Sequence, residues 1–286
     1  MDERRFALEL PGGRTLVGLL DLPARARGGG PSPVVVLCHG FKGFARWGFF
    51  PPLAELLAAR GFAAVRFNFT GSGMGLDDDR VTRPEDFRED SYRAEVAELR
   101  LLLDRLGELA PGALDLDRLA LLGHSRGGAI ALLTAAATPW REPLRALVTW
   151  NAIGHCDRWT AVEKERWRRE GELPVTNART GQRLALGLGL LDDVEGHAPE
   201  LDLHAAALRR RAPWLLLHGT ADESVPFAEG QALARTVSPE SAPLELHPIA
   251  EGSHTFGARH PFAGPTPHLV AAMNLTQRFL RRHLAP

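Results

Sequence analysis

The chain has 286 residues, 44% of them hydrophobic and 24% charged, with 34 Lys and Arg against 35 Asp and Glu and a formal charge of -1. That balance excludes the basic footprint needed by a nucleic-acid or anionic-membrane surface. The length allows a sizeable core without disulfides or metals. Cys38 and Cys156 make no disulfide framework in a chain this long, and Cys38, inside the apolar run Val34–Cys38, reads as a buried thiol. Met1-Asp2-Glu3-Arg4-Arg5 precedes no apolar stretch, and no run of 18 apolar residues follows. The expectation is therefore a soluble cytoplasmic protein with neither a secretory signal nor a membrane span.

In chain order, Phe6–Leu10 and Thr15–Leu22 flank Pro11-Gly12-Gly13 and predict an antiparallel hairpin. The loop Gly28-Gly29-Gly30-Pro31 separates it from Val34–His39, a continuous apolar run expected of a strand buried on both faces. Leu53–Arg60 predicts a helix closed by Gly61. Phe62–Phe67 is the next strand. Val96, Leu99, Leu102, Leu103 and Leu106 recur at helical spacing and predict one amphipathic helix from about Pro84 to Leu106. Strand Leu119–Leu122 and a small-residue helix Gly127–Ala137 follow. Strands at Arg145–Trp150, Trp214–His218 and Leu244–Pro248 and a terminal helix carrying Leu269, Met273, Phe279 and Leu280 complete the series. This alternation predicts an α/β fold, 1–286 as a single domain, with a mostly parallel central sheet and helices on both faces.

Between Gly154 and Ala207 the rhythm breaks. Trp159, Val162 and Trp167 fall on one helical face, and Glu172–Val175 with Arg183–Leu186 can form a hairpin. Residues 154–207 are read as a lid inserted over the C-terminal edge of the sheet; the alternative is a long crossover with an extra helix.

The chemistry centres on Gly123-His124-Ser125-Arg126-Gly127, a G-x-S-x-G set between an apolar strand and a helix. A nucleophile on such a turn needs glycines beside it so that backbone can pass closely. A serine hydroxyl becomes a nucleophile when a histidine takes its proton and a carboxylate orients that histidine. Asp222, just past the strand Trp214–His218, is the candidate acid, with Glu223 beside it expected at the surface. His254, in Gly252-Ser253-His254-Thr255-Phe256, is the candidate base, and His260 the runner-up. The fourth element, His39-Gly40-Phe41-Lys42-Gly43, follows the strand Val34–Cys38. Its Phe41 N–H would pair with that of Arg126 to hold a tetrahedral oxyanion. Gly40 would permit close approach, His39 would brace nearby loops, and Lys42 would meet either substrate or only solvent, with solvent favoured. Gly71-Ser72-Gly73-Met74-Gly75 does not fit a dinucleotide loop, and no His, Cys or Asp spacing suits a metal, so no cofactor and no metal are expected.

The order Ser125, Asp222, His254 is that of the α/β-hydrolase fold. Over essentially its whole length the sequence resembles that superfamily. The HGF oxyanion loop, the GHSRGG elbow, the HGTADESVP acid loop and the GSHTF base loop resemble bacterial carboxylesterases near the cinnamoyl/feruloyl-esterase and serine-aminopeptidase-like branch. The resemblance implies a serine carboxylesterase acting on a small-molecule ester, aromatic acyl esters included, with an insertion that shapes the acyl pocket. Trp159 and Trp167 are the pocket candidates. The alternatives are a peptidase, aminopeptidase or thioesterase with the same triad, for which Asp192, Asp193 and Glu195 could bind a free amino group, and a non-catalytic ligand-binding homologue.

Overall fold

Residues 2–24, 30–140, 142–238 and 240–284 are described by a computed structural model of the chain. Gly28 and Gly29 of the glycine loop lie outside the described residues. Strands β1 (Asp2–Glu9) and β2 (Thr15–Leu22) form the expected antiparallel hairpin. Gly12 and Gly13 turn it at φ 90 and 82, a backbone region open to glycine at no steric cost. Strand β3 (Ser32–Cys38), helix α1 (Phe50–Ala59) and strand β4 (Ala63–Asn68) come next.

The single helix expected from Pro84 to Leu106 is instead three: α2 (Pro84–Arg88), α3 (Tyr92–Asp104) and α4 (Leu106–Leu109). The break has a local cause. Ser91 is extended and caps α3 by accepting the Ala94 N–H at 3.2 Å, while Asp90 turns inward to an ion pair.

Strand β5 (Leu114–His124), helix α5 (Arg126–Ala135) and strand β6 (Leu144–Trp150) lead into the irregular stretch. That stretch holds α6 (Ala161–Glu170), the antiparallel hairpin β7 (Glu172–Thr176) and β8 (Arg183–Gly187), then α7 (Leu188–Gly196) and α8 (Leu203–Arg209). Strand β9 (Trp214–Gly219), helix α9 (Phe227–Thr236), strand β10 (Leu244–Ile249) and helix α10 (Pro267–Leu284) close the chain.

The main sheet has eight strands in the order β1-β2-β4-β3-β5-β6-β9-β10. Its members from β4 to β10 are parallel, and only the hairpin edge is antiparallel. Alternate residues of β3 divide between two cores. Val34 and Val36 pack on the side of α3, α5 and α8, whereas Val35 and Leu37 pack on the side of α1 and α10. All four are fully buried, as a central parallel strand requires. No helix among the described residues is long and apolar enough to cross a membrane.

This topology brings the carboxyl ends of β3, β5, β6, β9 and β10 to one edge, the side where open α/β sheets bind ligands. The loops leaving those ends carry Phe41, Ser125, Asn151, Asp222 and His254.

Candidate active site

Ser125 sits between β5 and α5 at φ 56, ψ -123, a conformation a non-glycine residue holds only under constraint. The constraint is steric. A Cβ on Gly127 would lie 2.3 Å from the His39 carbonyl oxygen, and one on Gly123 would lie 2.2 Å from that of Gly127. The Ser125 N–H donates to the carbonyl of Trp150 at 2.9 Å, pinning the turn to β6.

His254 brings the other two groups to this serine. Its Nε2 is 3.1 Å from Ser125 Oγ, and its Nδ1 is 2.8 and 3.1 Å from the two Asp222 carboxylate oxygens. Burial alone would raise the Asp222 carboxyl. The hydrogen bonds from His254 and from the backbone N–H groups of Ser224 and Val225, at 2.9 and 2.8 Å, outweigh it and hold the pKa below the usual carboxylate value. Asp222 is thus an anion beside a ring whose other nitrogen faces the serine. His260, the alternative base, is not in reach. It accepts the Gly48 N–H at 3.0 Å and bonds to Asp79 at 2.7 Å.

Three residues that sequence reasoning did not assign to the site hold the His254 loop. His124 donates from Nε2 to the His254 carbonyl at 2.8 Å, and Asn151 donates to the same oxygen at 2.7 Å. Asn151 also accepts the Gly219 N–H at 2.7 Å, tying β9 to this loop. Glu223, expected to be an uninvolved surface residue, accepts the His254 N–H at 3.3 Å while remaining exposed. Burial, then the neighbouring His254, pushes the His124 pKa down to about 3, so its ring stays neutral.

The loop after β3 approaches the elbow closely because Gly40 has no side chain. A Cβ there would lie 2.9 Å from Ser125 Cβ. His39 braces neighbouring chain as expected, donating to the Gly40 carbonyl at 2.9 Å and accepting the Phe69 N–H at 3.0 Å. Arg126 is the first residue of α5, where helix geometry leaves the N–H without an intrahelical acceptor. Its side chain turns the other way, to Asp90 at 2.9 Å, Glu95 at 3.0 Å and the face of Tyr92 at 4.2 Å. Burial raises the pKa of both carboxyls against the pull of Arg126. The burial of Glu95 was open to inference, since it shares the helical face of Leu99 and Leu102.

Two cavities meet at Ser125 and His254. One, of about 290 Å³, is walled by Tyr92, Ile153, Arg158, Trp159, Leu190 and Val225. The other, of about 240 Å³, runs past Trp47, Phe50, Asn177, Ala178 and Arg179. Phe41 and Lys42 border both.

Several expectations need correction here. Lys42 faces the cleft rather than open solvent, because the β7–β8 hairpin covers it, with the Thr176 carbonyl 3.5 Å from Nζ. Trp159 lines the cleft, but Trp167 does not. It is fully buried behind Trp159, its Nε1 donating to the Leu186 carbonyl at 3.0 Å. Val162 shares no apolar face with them and is 76% exposed, since α6 begins only after Trp159. Asp192, Asp193 and Glu195 do not reach the cleft. Asp193 accepts the Arg93 N–H at 3.0 Å, Glu195 pairs with Lys164 and Arg168, and Asp192 is exposed.

Residues 35–272 match the family described as the alpha/beta hydrolase family. A hydrolase of a Fusarium species, LUC6, is 36% identical over 136 residues, 46% of this chain and 30% of that protein. The 2,6-dihydropseudooxynicotine hydrolase of Paenarthrobacter nicotinovorans is 26% identical over 236 residues, 79% of this chain and 53% of that protein. The chain thus spans about half the length, or less, of these curated relatives. Among solved structures, Est1E from Butyrivibrio proteoclasticus superposes with a TM-score of 0.70 at 18% identity, covering 99% of each chain, and also has a structure with ferulic acid bound.

Proposed function

The chain belongs to the alpha/beta hydrolase family, and on that premise we propose that it cleaves carboxylic esters of small molecules through an acyl-enzyme on Ser125. The observation that carries this reading is the continuous run from the Asp222 carboxylate through His254 to Ser125 Oγ, at 2.8 and 3.1 Å. Ser125 attacks the ester carbonyl while His254 Nε2 takes its proton, and Asp222 holds the ring in the right tautomer and stabilises the imidazolium. The N–H groups of Phe41 and Arg126 receive the oxyanion. His254 returns the proton to the departing alkoxide, then activates a water that releases the acid. No cofactor enters these steps.

The walls support an ester rather than a peptide with a free amino terminus. A cationic amino group calls for a carboxylate, and among the described residues neither cavity is lined by one. Segment 154–207 acts as a lid in this reading, since Arg158, Trp159, Leu186 and Leu190 roof the larger cavity. With Tyr92 and Trp159 in its walls, that cavity suits an aromatic acyl group. The test is labelling by a fluorophosphonate together with turnover of 4-nitrophenyl esters, aminoacyl amides and acyl-CoA. Esters turned over fastest, with label on Ser125, is the expected result. Amides or thioesters hydrolysed in preference would reassign the substrate class, and an unlabelled Ser125 would remove the mechanism.

A further inference from the structure

Among the described residues, Lys and Arg line the cavities and Asp and Glu do not. Arg126 and Arg158 border the larger cavity, Arg179 the smaller, and Lys42 both. Each arginine is already answered by a carboxylate that lines neither cavity. Arg126 has Asp90 and Glu95, Arg158 grips Glu229 at 2.8 and 3.1 Å, and Arg179 reaches Asp79 at 3.1 Å.

Lys42 differs from all three. Among the described residues no carboxylate pairs with its ammonium, which has only the Thr176 carbonyl at 3.5 Å and the ring of Phe41 at 5.4 Å. It is half-buried, and burial lowers its pKa. An ammonium withdrawn from water without a counter-ion is a local cost that an incoming anion can offset. Its backbone is also held at φ 59, unusual for a residue with a side chain, immediately after Phe41. The side chain thus leaves a held backbone beside Phe41 and borders both cavities, each of which also reaches Ser125.

Resting on the ester-hydrolase reading above, we propose that the preferred substrates are esters carrying a second, ionised carboxylate, which pairs with Lys42 Nζ while the ester carbonyl meets Ser125. The carboxylate belongs either to the acid half of the ester or to the alcohol half, because Lys42 borders both cavities.

Two matched pairs separate these sources. Mono-4-nitrophenyl glutarate against 4-nitrophenyl valerate places the charge on the acyl half, and 4-acetoxybenzoate against its methyl ester places it on the leaving half. The quantity read is the ratio of kcat/KM, charged over neutral, within each protein, so a general loss of activity cancels. In the wild type one pair should show a ratio of about ten or more, carried by KM and shrinking as sodium chloride is added. Lys42→Met should lower that ratio at least tenfold, and Lys42→Arg should restore most of it. Ratios at or below one for both pairs in the wild type would overturn the proposal, as would a ratio that Lys42→Met leaves unchanged. Either result, with 4-nitrophenyl valerate still hydrolysed, leaves the ester-hydrolase reading standing. Absence of turnover on all four esters together with absence of fluorophosphonate labelling would overturn that reading as well.

Discussion

The ring of His124 donates a hydrogen bond to the backbone carbonyl of His254 at 2.8 Å, so the residue just before the serine holds the chain of the histidine that faces it. The two imidazoles lie 4.7 Å apart, yet they act differently. His124 is buried and neutral, a fixed donor, whereas the His254 side chain keeps 15% of its surface open to the cleft. Because β5 delivers both His124 and Ser125, any shift of the elbow carries the His254 loop with it.

The strained turn at Ser125 gives a prediction that separates chemistry from folding. Ser125→Ala should abolish ester turnover and labelling, with little change in unfolding midpoint. Ser125→Gly should be equally inactive but more stable than the alanine variant by about 1 kcal/mol, since glycine enters φ 56 without steric cost. Urea titrations of the two variants check the order, and activity assays check the shared loss.

Asp222→Asn should lower kcat by up to about 10⁴-fold, because an amide favours the wrong tautomer of His254. Glu223 works through the backbone instead. Its glutamine variant keeps an oxygen to accept the His254 N–H and should stay near wild type, whereas Glu223→Ala should lose activity several-fold. Steady-state kinetics on one 4-nitrophenyl ester rank the three. A Glu223→Gln variant as damaged as Asp222→Asn would mean that the acid is misassigned by one position.

Glu98 predicts a pH dependence of stability. Burial pushes its pKa up to about 7, against the hydrogen bonds from Thr70. A carboxyl with a raised folded pKa keeps its full contribution below its ordinary value near 4.5 and loses it as the pH climbs through 7, because the unfolded chain releases the proton first. Glu98 by itself should therefore lower the unfolding free energy between pH 5 and pH 8, as should Asp90 and Glu95. Buried His39 and His124, whose pKa values burial lowers, raise it as the pH climbs to 6.5. The Glu98 contribution is isolated by difference: Glu98→Gln, which cannot ionise and can still accept the Thr70 N–H, should gain stability relative to the wild type as the pH goes from 5 to 8. Denaturant melts at the two pH values give the comparison.

The two tryptophans of segment 154–207 should respond in opposite ways. Trp159→Ala opens the larger cavity and should change the ranking of acyl groups by about 10–200-fold, with a modest effect on stability. Trp167→Ala removes a fully buried ring and its hydrogen bond to Leu186, and should cost about 3–5 kcal/mol. An acyl-ester panel and thermal melts on both variants distinguish the roles. Excising 154–207 entirely would also remove Leu191, Leu203 and Ala206 from the main core, so single substitutions are the sounder probe.

Short-range pattern is why the strands, the elbow and the acid and base loops were readable from the sequence. Each depends on neighbouring residues: apolar runs, glycines at a tight turn, a polar residue just past a buried strand. The helix break at Asp90 was legible only in part: the Ser91 cap is local, but the inward turn of Asp90 depends on Arg126, far along the chain. Trp159 and Trp167 look alike in the sequence, and only the β7–β8 hairpin decides that one meets the cleft and the other the core. Lys42 could not be decided between cleft and solvent for the same reason, since its cover comes from Thr176. Asn151 lay outside any pattern, its role resting on a φ of 48 at the end of β6.

The clamp formed by Asn151 divides labour within the molecule. Its amide fastens main-chain atoms of Gly219 and His254, so the reacting groups are aligned by backbone that side-chain replacement elsewhere leaves in place. The walls around them are largely side chains, drawn in part from a segment that supplies none of the aligned atoms. On the proposed reading, cavity walls can be exchanged one after another while Ser125, Asp222 and His254 stay in register, so substrate range should yield to substitution more readily than the reaction itself.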